Sequence, residues 1–218
     1  MKLYLKQFTF NINRANSYLV WNDLGDSIMI DPACSNRDEE RELELFIAEK
    51  GLYPKDLFIT HAHFDHTVGI PFMKRTYSSK CWLHPDDKKE VSVTEILAPI
   101  HGSKEVKFGV DYQLEDEQHL MIGDIEVRVI HIPGHTEGSV CFYLPAGPLL
   151  FMGDTMIKGS LGFVNSSYSE LLQYLEKKVC PLSDNTMLYF GHGSSSKLAI
   201  EKEDNPFFRR IAERRVLL

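Results

Sequence analysis

The chain has 218 residues, 43% hydrophobic and 25% charged, the proportions of an ordinary soluble globular protein, and the expectation is one domain over residues 1–218. Its 31 acidic residues against 24 Lys and Arg give a formal charge of −7, which argues against a phosphate backbone, and so nucleic acid, as the main partner. No apolar run approaches the length needed to cross a bilayer, so neither a membrane span nor membrane attachment is expected.

The first residues, MKLYLKQFTFNINRANSYLVW, alternate polar and apolar side chains and read as strand, not as a signal peptide. The expected location is the cytoplasm, where Cys34, Cys81, Cys141 and Cys180, far apart and without a CxxC pair, stay as thiols. Strands are predicted over 3–8, 17–21, 28–30, 57–60, 80–83, 125–132, 139–144, 149–152 and 187–190. Several of these combine β-branched and aromatic residues with alternation. A helix is predicted over 37–50, with Asp38, Glu39 and Glu40 at the positive end of its dipole and Gly51 and Pro54 as the stop. A second spans 167–178, and a third starts at Asp204-Asn205-Pro206, a capping side chain followed by proline at the first helical position. The segment Asp86 to Asp116 reads as an irregular surface excursion, because Pro99 and Gly102 interrupt any long element; a flap beside a site is the alternative.

One stretch carries chemistry. Thr60-His61-Ala62-His63-Phe64-Asp65-His66 packs four potential metal ligands directly after the apolar run Leu57-Phe58-Ile59. Side chains two apart in an extended segment point the same way, so His61 and His63 can grip one ion. Asp65 and His66 then reach toward a neighbouring one, and Pro71 delays the following helix to about Gly69 or Ile70. Three more candidates share one context: His135, Asp154 and His192 each follow an apolar run, with Gly134, Gly153 or Gly191 beside them. Any one of these histidines alone is more often a surface or hydrogen-bonded core residue. A dense cluster with three matching strand-end placements is hard to read as coincidence, because neighbouring strand ends meet at one edge of a sheet. Imidazole and carboxylate ligands suit zinc, with iron or manganese as alternatives, and two such divalent ions would lie about 3.5–4 Å apart.

HAHFDH resembles the HxHxDH signature of the metallo-β-lactamase superfamily, whose fold is an α/β, four-layer αββα sandwich. The resemblance implies that His61, His63 and His135 hold a first metal, that Asp65, His66 and His192 hold a second, and that Asp154 bridges both. PGHTEGSV, FMGDT, GHG and EKEDNPFFRR are most similar to glyoxalase II and its shorter bacterial relatives. That likeness implies a small thioester as substrate and attack by a metal-bridging hydroxide, with Asp65 and Asp154 as catalytic residues. A thiol leaving group, with a pKa near about 8.5, departs as thiolate without a dedicated acid.

The chain departs from the glutathione-using members at Phe163 and Asn165, where those have Lys and Tyr, and it stops before their extra helical domain. The acyl group, the thiol carrier and the oligomeric state stay open. Rival readings are a mononuclear iron sulfur dioxygenase using His61, His135 and Asp154, a nuclease or lactonase of the same fold, a β-lactamase, and a binding module. The β-lactamases lack a bridging Asp, and binding modules tend to lose ligands. His84, His101, His119 and His131 match no ligand position. His84 reads as structural, and His131 as either a strand residue or a hydrogen-bond partner of a ligand. The tail Phe207 to Leu218 reads as a packed helix with Arg209, Arg210, Arg214 and Arg215 in solvent.

Overall fold

Two six-stranded sheets lie face to face, each with helices on its outer side. A computed structural model describes residues 2–100 and 107–216, and the side chains of the last helix as far as Ile211; His101, Gly102, Arg214 and Arg215 of the expectations above lie outside the described residues or side chains. The first sheet holds β1 (Leu3–Phe10), β2 (Ala15–Asn22), β3 (Ser27–Ile30), β4 (Asp56–Phe58), β5 (Lys80–Leu83) and β6 (Tyr112–Gln113) in that order. β1 to β3 run antiparallel and β3 to β6 parallel. The second holds β7 (His119–Ile122), β8 (Ile125–His131), β9 (Val140–Leu144), β10 (Leu149–Phe151), β13 (Met187–Tyr189) and β14 (Ser196–Lys197). A small hairpin, β11 (Met156–Ile157) with β12 (Ser160–Leu161), stands apart.

The layers follow from strand alternation, which sends successive side chains to opposite faces. Tyr18, Val20, Ile28, Ile30 and Phe58 point inward and meet Val127, Val129, Phe142 and Phe151 of the other sheet. Phe58 and Phe142 touch across this layer at 5.3 Å between ring centroids. Leu19, Met29, Leu57 and Cys81 point outward onto α1 (Arg37–Lys50) and α3 (Ile70–Tyr77). Ile130, Cys141, Leu150 and Leu188 likewise face α5 (Tyr168–Tyr174) and α7 (Pro206–Val216), which follows α6 (Leu198–Asp204). Strands covered on both faces cannot expose a polar side, which is why the central runs are apolar throughout.

Helix α1 has the predicted bounds. The Asn36 side chain accepts from the N–H groups of Asp38 and Glu39, and Gly51, at φ 63°, closes the other end. Ser167 caps α5, whose helical path continues through a π turn, Leu175–Val179. Phe208 and Ile211 of α7 pack into the outer core while Arg209 and Arg210 stay exposed. One expectation needs an addition and another a correction. The helix expected from about Gly69 or Ile70 does start at Ile70, as α3, but an unexpected one-turn helix, α2 (Phe64–Thr67), precedes it and carries Asp65 and His66. The segment 86–116 is not an irregular excursion: α4 (Lys88–Ile100) fills much of it, with Pro99 accommodated in its last turn. It packs beside the HxH loop, where the Thr94 hydroxyl donates to the Ala62 carbonyl at 2.5 Å.

Candidate metal centre

The carboxyl ends of β3, β4, β8, β10 and β13 meet where the two sheets touch. There Val140 N–H donates to the Thr60 carbonyl at 2.9 Å and Asn16 N–H to the Gly191 carbonyl at 2.7 Å, tying sheet to sheet. Each strand then releases a polar side chain into the same space. His61 and His63 follow β4, Asp65 and His66 sit in α2, His135 follows β8, Asp154 lies in the short turn after β10, and His192 follows β13.

All seven sequence-predicted residues come together, in two groups. His61, His63 and His135 offer ligand atoms within 4.8 Å of one another, and so do Asp65, His66 and His192. Asp154 stands between the groups. Its Oδ2 is 3.7 Å from His135 Nε2 and 3.4 Å from His192 Nε2, and its Oδ1 is 3.6 Å from His66 Nε2. A β-carbon at Gly191 would lie 2.0 Å from Asp154 Oδ1, so glycine is needed for that approach. Gly153 turns the chain at φ 49° just before Asp154.

Hydrogen bonds select which nitrogen each ring presents. His135 Nδ1–H donates to the Phe163 carbonyl at 2.8 Å, leaving Nε2 to face inward. His66 Nδ1–H donates to Asp31 Oδ2 at 3.1 Å, with the same result. The Thr60 hydroxyl spends its one proton on Asp31 Oδ2 at 2.6 Å, so it must accept from His61 Nδ1–H at 3.0 Å. The inward His61 Nε2 is buried and makes no hydrogen bond, and neither does Asp154 Oδ1. His135 Nε2 and His63 Nδ1 face each other at 2.9 Å, and His66 Nε2 and His192 Nε2 at 3.3 Å. Buried polar atoms without partners and opposed imidazole nitrogens are costly arrangements, and divalent cations between them would resolve both. The residues present therefore fit a pair of metal ions.

Burial, then the charge on His66, pushes His61 well below its ordinary pKa; burial, then His135, takes His63 to about 4. Both rings are neutral at pH 7, as ligands must be. Burial opposes charge on His66 too, but Asp154 and Asp31 outweigh it and raise that ring well above its ordinary value. At His192 burial is likewise outweighed, by hydrogen bonds to Asp154 and Asp65, and the pKa rises to about 9. Burial also opposes ionisation of Asp65 and Asp154, yet His192 and His66 hold both well below the usual carboxylate range. Without metal, protons on His66 and His192 thus supply the positive charge the carboxylates demand.

This sets different pH slopes for the two forms. In the metal-free chain His63 disfavours its charged form, so stability falls as the pH drops from about 6.5 toward about 4. His192 favours its charged form, so its contribution is complete below about 6.5 and is lost as the pH rises through about 9. Metal must displace the protons on His66 and His192, and the unfolded chain holds few protons there above about 6.5, so the stability of the loaded protein is nearly level over that same alkaline window. The melting temperature of chelator-treated protein should therefore fall between about pH 6.5 and about pH 8.5 while that of metal-loaded protein stays nearly level. Parallel slopes would contradict the charge assignment.

Residues outside the predicted set hold it in place. Asp31, at φ 49°, takes the Thr60 N–H at 2.8 Å on Oδ1 while Oδ2 serves Thr60 and His66. The same signal that marks the other site residues marks Asp31, for it directly follows the apolar run Ile28 to Ile30. Asp87 has no such signal. Its carboxylate, kept partly protonation-prone by burial, accepts Ala62 N–H at 2.6 Å and Gly138 N–H at 2.8 Å, clamping the loops of His61 and His135 together. Asn13 donates to Asp65 Oδ2 at 3.1 Å, and Asn165 to the His135 carbonyl at 2.6 Å. The two departures at Phe163 and Asn165 therefore both serve His135, one through its backbone and one through its amide. His84 and His131 stack at 3.9 Å outside the set, and His119 pairs with Glu126 at the surface.

A family model described as the metallo-beta-lactamase superfamily matches residues 12–200. The chain belongs to this superfamily. Its αββα sandwich is shared by the crystal structure of BLEG-1 B3 metallo-beta-lactamase, with a TM-score of 0.84 and 26% identity over 94% of this chain and 99% of that one. TTHA1623, solved in a di-iron-bound form, gives a TM-score of 0.79 and 29% identity over 93% and 99%. Hydroxyacylglutathione hydrolase GloC of Haemophilus influenzae is 29% identical over 201 residues, covering 88% of this chain and 92% of the relative. Members are metal-dependent hydrolases in general, and the His and Asp clusters of this chain match that chemistry. Among the described residues no helix is long and apolar enough to cross a membrane.

Proposed function

We propose that the chain hydrolyses small thioesters with two divalent metal ions, His61, His63 and His135 holding one and Asp65, His66 and His192 the other. The observation that carries the reading is the placement of Asp154, whose two oxygens face one group and both groups respectively at 3.4–3.7 Å. The di-iron form of TTHA1623 supports two ions over one, and the likeness to GloC supports a thioester.

When bound, the metals would supply a Lewis acid for the carbonyl and lower the pKa of water from near 16 to about 7. The protein's own residues do the rest. Asp65, pinned by Asn13, and Asp154, pressed against Gly191, are fixed before substrate arrives, so no reorganisation is needed as charge develops. Asp31 and Thr60 keep His61 and His66 in the tautomers that present Nε2. A thiolate leaves unaided, whereas an amine would need a proton donor.

The test is metal analysis of purified protein beside a panel of thioesters, lactones, phosphodiesters and a chromogenic β-lactam. The expected result is close to two metals per chain and turnover of thioesters above the rest by a factor of at least about 10², the scale on which a site discriminates between substrates it is and is not built for. Turnover of phosphodiesters alone would overturn the substrate class. Preference for the β-lactam, the activity for which BLEG-1 B3 metallo-beta-lactamase is named, would favour that second reading. One iron with oxygen uptake would replace hydrolysis by oxygenation.

A further inference from the structure

The His192 side of the centre opens into a cleft of ≈ 560 Å³ whose lining is unlike the rest of this acidic chain. Gln7, Asn13, Ser194 and Ser195 contribute amides and hydroxyls, Arg14 contributes a guanidinium, and no carboxylate belongs to the lining among the described residues. Arg14 has no ion-pair partner among them either, although the chain carries 31 Asp and Glu against 24 Lys and Arg. A cation without a counter-charge in an acidic protein, beside a metal-ligand histidine, is an arrangement suited to an anionic ligand.

The backbone supports the same conclusion. Arg14 adopts φ 57° and Asn11 φ 55°, a conformation side chains rarely take, and the Arg14 N–H closes the turn on the Asn11 carbonyl at 3.1 Å. The turn is tied to the centre, since the Asn11 amide donates to the Asp65 carbonyl at 2.8 Å and the Asn13 amide to the Asp65 side chain. Asn11 N–H is held in turn by Glu39 of α1 at 2.8 Å. The turn therefore holds the Arg14 backbone close to the centre, and its exposed side chain lines the cleft that His192 shares.

We infer that Arg14 and its cleft form a subsite for a carboxylate of the substrate, making the chain selective for thioesters that carry one. This rests on the thioester reading and names what that reading leaves open. A guanidinium offers a carboxylate two parallel N–H donors, and the amides of Gln7 and Asn13 with the hydroxyls of Ser194 and Ser195 can meet its remaining lone pairs. The carboxylate can sit on the thiol carrier or on the acyl group.

Three thioesters separate those sources: lactoyl-glutathione, with carboxylates on the carrier; succinyl-N-acetylcysteamine, with one on the acyl group; and lactoyl-N-acetylcysteamine, with none. With wild-type metal-loaded enzyme, kcat/KM for one charged substrate should exceed that of the neutral one. Arg14→Gln should cut that ratio about five- to tenfold, through KM and not kcat, the scale of one charge-assisted hydrogen bond at a partly open site. Arg14→Lys should recover part of the ratio, keeping charge but losing the fork. The preference should also weaken with added salt in wild type and not in Arg14→Gln. A ratio equal in wild type and both variants overturns the inference. Calorimetric binding of S-methylglutathione, a thioether that cannot be hydrolysed, separates the two proposals. If no thioester turns over but wild type still binds this probe more tightly than Arg14→Gln, the substrate reading falls and the carboxylate subsite stands; turnover without discrimination gives the reverse.

Discussion

Replacing Asp154 with alanine is expected to remove the second metal and to lower kcat/KM by more than about 10²-fold, since even a residue that only orients a metal ligand is worth about 10–100-fold. The reason is geometric. Among the described residues Asp154 is the one carboxylate within 3.7 Å of a nitrogen from each group, so its loss uncouples the groups instead of weakening one ligand among seven. It is also electrostatic. The charge of Asp154 helps hold His66 and His192 protonated in the metal-free chain, so without it those two rings keep only Asp31 and Asp65 as counter-charges. Metal content of the purified variant, read beside turnover of the best wild-type substrate, checks both parts. Two metals per chain with near wild-type activity would refute the bridging role. Asp154→Asn keeps the shape but not the charge and should fall near the alanine variant, because the ions need the charge.

Asp31→Asn is expected to keep the fold and lose metal affinity by roughly 10–100-fold, although Asp31 belongs to neither ligand group. The wild-type carboxylate only accepts, and it accepts from Thr60 N–H, the Thr60 hydroxyl and His66 Nδ1–H. An amide nitrogen at Oδ2 would donate instead. Thr60 would then turn its proton toward His61 Nδ1, and both His61 and His66 would carry hydrogen on Nε2, where lone pairs are required. The opposite amide orientation sets its NH₂ against the Thr60 N–H. Asp31→Ala leaves three buried donors unmet and should cost about 3–5 kcal/mol, the range for breaking a buried charged pair. For a chain of this size that is a fall of about 10 °C in melting temperature. Titration of each variant with zinc against a competing chelator, with melting measured in parallel, separates tautomer from stability. An Asp31→Asn chain that binds zinc as wild type does would show that the tautomers are set elsewhere.

Much of this molecule is written locally. Alternation placed the central strands, Asn36 and Gly51 bound α1, and the spacing within HAHFDH with three glycine-flanked strand ends named seven residues that do converge. These features are legible because each depends on neighbours a few residues apart: a helix cap, a strand period, a turn. Helix α4 is not legible for the same reason, since Pro99 speaks against a helix locally while the packing of α4 on the HxH loop, through Thr94 and Ala62, is a long-range contact.

Amino-acid order alone thus determined the central strands, α1 and the chemical kind of the centre, while the fold class followed from the resemblance that HAHFDH carries. Tertiary structure decided which nitrogen each histidine presents and which rings hold protons in the metal-free chain. It also recruited Asp31, Asp87 and Asn165, whose partners lie 25 to 51 residues away, and put Arg14 beside His192. The physical reason is that charge and hydrogen bonding in a buried site depend on what surrounds each atom in space, and residues remote along the chain supply most of those surroundings.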